Sequence, residues 1–356
     1  MTRFLLRFAP LAVLSGCFMP YAEDAGIRTT QSEIRKTVVF AAAALGEVNA
    51  LTLVSSNGMS QIVVGGQAGA AFLDLGYVQE RFVRFSYPGL SSTVPVDVEG
   101  DGRYGFMDRE CGLSATVLSS EAALLWSFPP KDDADYDRNP NQMAAGDLDG
   151  DGDLEFVVGA GGGIYAFDKA GSMIWQADAS LVFAVEIADL DEDGKLEVVH
   201  LDEPNKIVIR DGKGEEIRRF DRPAGLHGDP LLWRNEKGGY LAIGNRGDVM
   251  HVLDLSGKEI TTLELSPEHG YFNSVRPMRI EGRTCYAAST KLSYCPGIGY
   301  LYLFDERGTI IHEEVFKGRV DSMLTFPEPG RTNSDILLIG VETQVIEYRW
   351  LPAESR

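Results

Sequence analysis

Short apolar runs recur along the chain, each alternating apolar with small or polar residues before a turn. Four stretches share one pattern: YAFDKAGSMI at 165–174, VIRDGKGEEI at 208–217, HVLDLSGKEI at 251–260 and YLFDERGTII at 302–311. The alternation predicts half-buried strands. Asp168, Asp211, Asp254 and Asp305 open turns by accepting from backbone N–H groups, and the glycine three residues on supplies a positive φ. AAFLDLG, holding Asp74, is a partial copy, and ALLWSF at 123–128 echoes the SMIWQ that follows Asp168. Upstream of the hairpins lie further runs ending near glycine, such as IVVGG, EFVVGA, YLAIGN and DILLIGV. Roughly four short strands in a unit of about 45 residues is the size of a propeller blade.

The fold class expected is therefore all-β, a β-propeller of seven blades of four antiparallel strands, with six or eight left open. The units run at about 46–86, 92–128, 143–178, 183–220, 226–265, 272–316 and 318–351. The last lacks one strand, and KTVVFAA at 36–42 can supply it and close the ring. Closure removes sheet edges that would otherwise pair with other chains. Residues 36–356 read as one domain, after a signal at 1–16 and a tether at 17–35.

GDLDGDGDLEFVVGA, from Gly146 to Ala160, sets Asp147, Asp149, Asp151 and Asp153 on alternate residues, then Glu155. ADLDEDGKLEVV at 188–199 repeats the pattern with Asp189, Asp191, Asp193 and Glu197. In both loops acids stand at positions 1, 3, 5 and 9, with Gly152 or Gly194 at position 6. Oxygens on alternate residues can curl round a hard cation, and the glycine permits the sharp turn. The backbone carbonyl at position 7, of Asp153 or Lys195, can add a ligand. Carboxylates so close repel, and a divalent ion removes that penalty. Flexible oxygen ligands favour Ca2+ over Mg2+. No His or Cys lies within positions 1 to 9, which argues against zinc. An EF-hand would need a glutamate at position 12 and flanking helices, but Val158 or His200 stands there, after strand-forming residues. VDVEGDGRYGFM at 96–107 is a weaker copy: Asp97, Glu99, Asp101 and Gly102 fit, while Gly105 replaces the acid at position 9.

An oxygen-rich loop leading into a strand resembles the FG-GAP (VCBS-type) repeats of integrin-like β-propellers. DLDGDGDLEFVVGAGGGIYAF is a close match, and DLDEDGKLEVVHLDEPNKIVI matches the loop without the later glycines. The resemblance implies calcium held between the first two strands of a blade, and a loop face presented to a protein or glycan partner. An alternative is a polysaccharide-active, lyase-like enzyme using calcium at a propeller face. A quinone-cofactor dehydrogenase propeller ranks last, because the tryptophan after the turn does not recur in every unit.

Charge and termini narrow the setting. With 53 acidic and 33 basic residues the chain carries a formal charge of -20, which argues against nucleic acid. Arg3 and Arg7 precede a short apolar run, Phe8 to Leu14, and Leu14-Ser15-Gly16-Cys17 resembles a bacterial lipobox. That places the protein in a bacterial cell envelope, anchored by lipid on Cys17. The alternative is an ordinary secretory signal cut before Glu23. Cys285 and Cys295 flank a hairpin-like segment and can pair in an oxidising compartment. Two separate thiols are the other reading, and Cys111 is left over. Trp126, Trp175, Trp233 and Trp350 suit core packing better than a carbohydrate platform.

Overall fold

The computed structural model describes residues 28–29, 34–56, 58–86, 93–108, 114–128, 140–202, 206–221, 231–234, 240–246, 249–265, 271–291 and 298–351. Cys17, Cys111, Cys295 and the acidic stretch 129–139 lie outside them. The regular structure among the described residues is all β.

Two strands, β1 (Arg28–Thr29) and β2 (Ile34–Ala41), precede the repeating units. The first unit is β3 (Val48–Ser56), β4 (Met59–Gly66), β5 (Gly69–Leu73) and β6 (Gln79–Arg84). The second is β7 (Thr93–Val96), β8 (Gly105–Asp108), β9 (Ala115–Leu118) and β10 (Leu124–Phe128). Next come β11 (Pro140–Gly146), β12 (Glu155–Phe167) and β13 (Met173–Ala188). β12 bends at Gly162 (φ 76°) and pairs with β11 before the bend and with β13 around and after it. β13 in turn leaves β12 at Leu181 and pairs with β14 from Val182 onward, so each long strand does the work of two.

The fourth unit continues from β13 into β14 (Glu197–Asp202), β15 (Lys206–Arg210) and β16 (Glu216–Asp221). The fifth is β17 (Leu231–Arg234), β18 (Tyr240–Arg246), β19 (Val249–Asp254) and β20 (Glu259–Glu264). The sixth is β21 (Tyr271–Ile280), β22 (Arg283–Lys291), β23 (Ile298–Asp305) and β24 (Ile310–Lys317). The last is β25 (Val320–Pro327), β26 (Asp335–Val341) and β27 (Gln344–Trp350), with β2 hydrogen-bonded to β27 as its fourth strand. Every pair is antiparallel.

Packing joins these units into a ring. Phe106 of the second unit sits among Val63, Phe72 and Val83 of the first. Trp126 and Phe128 meet Phe156 and Phe167 of the third, and Val157 and Ile164 meet Val182 and Val185 of the fourth. Val199 and Ile209 meet Leu253 of the fifth, whose Val252 and Leu263 meet Tyr286 and Phe304 of the sixth. Leu301 and Leu303 meet Leu337 and Ile339, and Ile336 and Leu338 return to Leu51 and Val64 of the first unit. Middle strands are therefore covered on both faces, as in β5 and β14, where every residue is buried. Outer strands are not: β16 is exposed along nearly its whole length. A single unit could not bury both faces; neighbours do it for one another.

The Asp-led turns join third to fourth strands. The Asp168 Oδ1 accepts from the N–H groups of Ala170 (2.9 Å) and Ser172 (2.8 Å), and Asp211, Asp254, Asp305 and Asp74 repeat this bonding. In the second unit Ser119 takes the role, its hydroxyl accepting from Glu121 and Ala123. The closing unit needs no such turn, because its fourth strand arrives from the N-terminus. Each turn rests on the outer strand of the unit before it. Arg81 donates to the Ser120 carbonyl, Trp175 Nε1 to the Gly212 carbonyl at 3.0 Å, and Arg218 to the Leu255 carbonyl at 3.1 Å.

Candidate metal centre

The two acidic loops join the first to the second strand of the third and fourth units, β11 to β12 and β13 to β14. Their backbones match. Gly150 (φ 80°) and Gly152 (φ 93°) fill positions 4 and 6 of one loop, and Glu192 (φ 65°) and Gly194 (φ 85°) those of the other. Local bonds explain the shape. Asp147 accepts from Gly150 N–H at 2.7 Å and Gly152 N–H at 3.1 Å; Asp189 accepts from Gly194 N–H at 3.1 Å. The loop is thus wound by its own first aspartate.

Three carboxylates converge in each loop. Oxygens of Asp147, Asp149 and Glu155 lie within 4.8 Å of one another, as do those of Asp189, Asp191 and Glu197. These are positions 1, 3 and 9. The remaining expected side chains turn elsewhere. Asp151 Oδ1 accepts from Asp153 N–H at 2.8 Å, and Asp153 pairs with Lys169 Nζ at 2.8 Å. Asp193 accepts from both the N–H and the ammonium of Lys195. A lysine side chain cannot ligate a cation, so position 7 can contribute only its carbonyl.

The glutamates at position 9 tie the loops to the fold. Glu155 accepts from Leu148 N–H at 2.7 Å, and Glu197 from Leu190 N–H at 2.8 Å. Both glutamates are buried. Burial pushes the Glu155 carboxyl above its ordinary range; the Leu148 N–H opposes this, and Asp149, Asp151 and Asp147 add to it. Glu197 is raised the same way, with Asp191, Asp193 and Asp189 as its acidic neighbours. Clustered charge in a half-dry pocket is what a cation relieves.

The donor set fits a hard divalent ion. All the converging atoms are carboxylate oxygens, and Asp189 Oδ1 is buried with no hydrogen-bond partner. An ionised oxygen left so is costly unless something positive faces it. Asp147, Asp149 and Glu155 would hold one ion, and Asp189, Asp191 and Glu197 a second. Bound there, the ion would supply charge neutralisation.

The weaker third loop keeps the backbone but not the convergence. Gly100 (φ 68°) and Gly102 (φ 79°) repeat the turn, and Asp97 Oδ2 accepts from Gly102 N–H at 2.9 Å. No third carboxylate cluster is found among the described residues. Gly105 stands at position 9, where a Cβ would come within 2.4 Å of the Leu118 carbonyl oxygen.

Position 2 of each loop had no expected role. Leu148 is buried against Val182, Val185 and Val198 of the fourth unit, and its carbonyl lies 2.1 Å from where a Cβ on Gly212 would stand. Leu190 packs on the cluster holding Leu253 of the fifth unit, and Val98 on that holding Met143 and Phe156 of the third. The loops therefore wedge an apolar side chain under the next unit. The signal was present as an apolar residue between the first two acids.

Other expected residues are placed plainly. Trp126 packs on the Gly171 turn, 2.7 Å from a Cβ there, Trp175 packs likewise on Gly214, and Trp350 is buried. Cys285 is buried and has no disulfide partner among the described residues, and burial raises its thiol pKa to about 11; its expected partner Cys295 lies outside those residues. His200 is fully buried, with Arg210 Nε donating to its Nε2 at 3.1 Å, and burial followed by the Arg210 charge lowers its pKa to about 3. Among the described residues no helix is long and apolar enough to cross a membrane.

Comparison with known proteins agrees with this architecture. Residues 139–172, which include the first acidic loop and its strand, match the model of the FG-GAP repeat family. No curated protein matches. Two crystal structures of BBS1N in complex with ARL6DN, one soaked with lead and one with mercury, superpose at TM-scores of 0.58 and 0.59. Each is 12% identical; the match covers 92% of this chain and 99% or 98% of the other. The chain is an all-β propeller carrying an FG-GAP repeat. In all, 737 solved chains match, so the shared fold by itself singles out no activity.

Proposed function

We propose that this propeller is a calcium-stabilised binding scaffold of the bacterial cell envelope, acting without catalysis and presenting a loop face to a protein or glycan partner. The observation that carries the reading is the pair of three-carboxylate clusters in consecutive units, each continuous with an apolar wedge under the next unit. Such an ion is enclosed by the repeat and holds neighbouring units in register. The similarity to BBS1N, a propeller found in a complex, supports a binding role. Lipid on Cys17 would keep the ring at the membrane surface, with the stretch before β1 as tether; the expected tether 17–35 is shortened because Arg28–Thr29 and Ile34–Arg35 are already paired to the ring.

Calorimetric titration of the metal-free chain with calcium tests the core of this reading. The expected result is binding at two sites and a raised melting temperature. Each site contributes about 2.7 kcal/mol when calcium stands at 100 times its Kd. An absence of heat and of any stability change overturns it. Turnover of acidic polysaccharides, followed by absorbance of unsaturated products, overturns the non-catalytic part. The intact mass of the mature chain checks the anchor: an unlipidated N-terminus beyond Cys17 removes it.

A further inference from the structure

We propose that the outer rim of the second and third units docks an extended, arginine- or lysine-bearing segment of a partner protein, added as a strand along the first half of β13 and reaching the apolar start of β10. The proposal rests on the binding-scaffold reading above and names the face and the chemistry of its partner.

Four observations converge. Among the described residues β10 pairs only with β9, and β13 from Met173 to Leu181 only with β12, so both present a sheet edge. Their first residues are apolar yet open to solvent: Leu124, Leu125, Met173 and Ile174 are 42% to 55% exposed. The turn contacts bring the two pairs together, because Gly171, two residues before Met173, lies against the ring of Trp126, which follows Leu125. Acid borders the patch. Lys169 of the same turn reaches Asp153 at 2.8 Å, which places the loop of Asp149, Asp151 and Asp153 beside it.

The sixth unit shows how such an edge is covered. There β1 lies antiparallel to β24, with Arg28 opposite Glu313 and Thr29 opposite His312. Ile311 of that strand is half-buried, while Ile174 and Ile217, six residues after their turn aspartates as Ile311 is, are more than half exposed. An extended segment bearing arginine thus already occupies the matching edge of one unit. Strand addition gains affinity from main-chain bonds and specificity from alternate side chains. Leu, Met and Ile offer apolar pockets for aliphatic side chains, whereas sugars favour flat aromatic platforms. The formal charge of -20 repels anionic lipid and attracts a basic partner.

The test is fluorescence anisotropy on the full, calcium-loaded chain with a labelled ten-residue peptide alternating arginine and valine. Binding is expected. An arginine–serine peptide, an aspartate–valine peptide and an arginine–valine peptide N-methylated on alternate backbone nitrogens are each expected to bind about tenfold more weakly or not at all, a loss of about 1.4 kcal/mol or more. A Leu125→Ser/Met173→Ser double variant should lose about tenfold, while Ile260→Ser in the fifth unit stays within about twofold. Each variant is first shown to melt like the parent and to bind calcium. Absence of binding to the parent, equal binding of the N-methylated peptide, or an unchanged double variant overturns the proposal. Parent protein sedimenting with phosphatidylglycerol vesicles, and released from them by the double variant's changes, overturns it in favour of a lipid surface. Retained calcium binding in any failed trial leaves the scaffold reading standing and removes only this docking site.

Discussion

The loops at 147–155 and 97–105 share a backbone and differ in what it can hold. Both wind through left-handed residues at positions 4 and 6, and both bond their first aspartate to the glycine N–H at position 6. Both wedge an apolar residue, Leu148 or Val98, under the following unit. Only the first brings three carboxylates together. The decisive position is the ninth. Glu155 supplies a buried oxygen and caps Leu148 N–H, whereas Gly105 sits where the Leu118 carbonyl leaves no room for a side chain. Loop shape and metal competence are therefore separable: the turn is set by aspartate and glycine, the ion site by one buried acid.

That comparison can be broken most forcefully at Glu155. Glu155→Ala should cost about 4 kcal/mol with calcium at 100 times its Kd, combining the lost ion with a buried N–H left unpaired. Part of the loss, about 1–3 kcal/mol, should persist in chelator, because Leu148 N–H loses its acceptor there too. Chemical denaturation in both conditions separates the two parts. Asp149→Ala should cost up to about 2.7 kcal/mol with calcium and almost nothing in chelator; equal losses in both would show that the cluster is only a turn. Gly105→Glu should not create a third site. It should cost about 1–3 kcal/mol through overpacking, and calorimetry should still count two ions. The smallest effect is a pH trend. Glu155 and Glu197 have raised folded pKa values, so their contribution to stability is present below the ordinary carboxylate pKa and lost as pH rises through the folded one. In chelator, Glu155→Gln/Glu197→Gln should therefore flatten the fall in melting temperature as pH rises above about 4.5 relative to the parent; an unchanged slope would mean that these carboxyls are not crowded.

Much of the ring could be read from residue order. The turns at Asp168, Asp211, Asp254 and Asp305 carry the expected bonds, and the strand read at 36–42 is observed at Ile34–Ala41, paired with β27. The second unit's turn was faint because Ser119 replaces aspartate and Ala122, not glycine, takes the positive φ of 59°. The division of β12 was legible as two runs on either side of glycines, and that of β13 as the boundary between the units read at 143–178 and 183–220. In the site, the positions of the acids were plain, but not which of them converge. Asp151, Asp153 and Asp193 look equivalent to their neighbours in sequence, and their side chains are drawn off by nearby N–H groups and lysines.

Sequence alone determined the strands, the turns and the two oxygen-rich loops, because each depends on side chains within a few residues of one another: alternation, an aspartate capping its own turn, a glycine at a positive φ. Tertiary structure alone decided which oxygens meet, which apolar residues are covered and which edge stays open. Those outcomes rest on a neighbouring unit or a neighbouring strand. Leu148 is buried because the fourth unit lies over it, and Gly105 excludes an acid because Leu118 of an adjacent strand is already there. Leu125 and Met173 remain exposed because the ring offers its outermost strands no further neighbour.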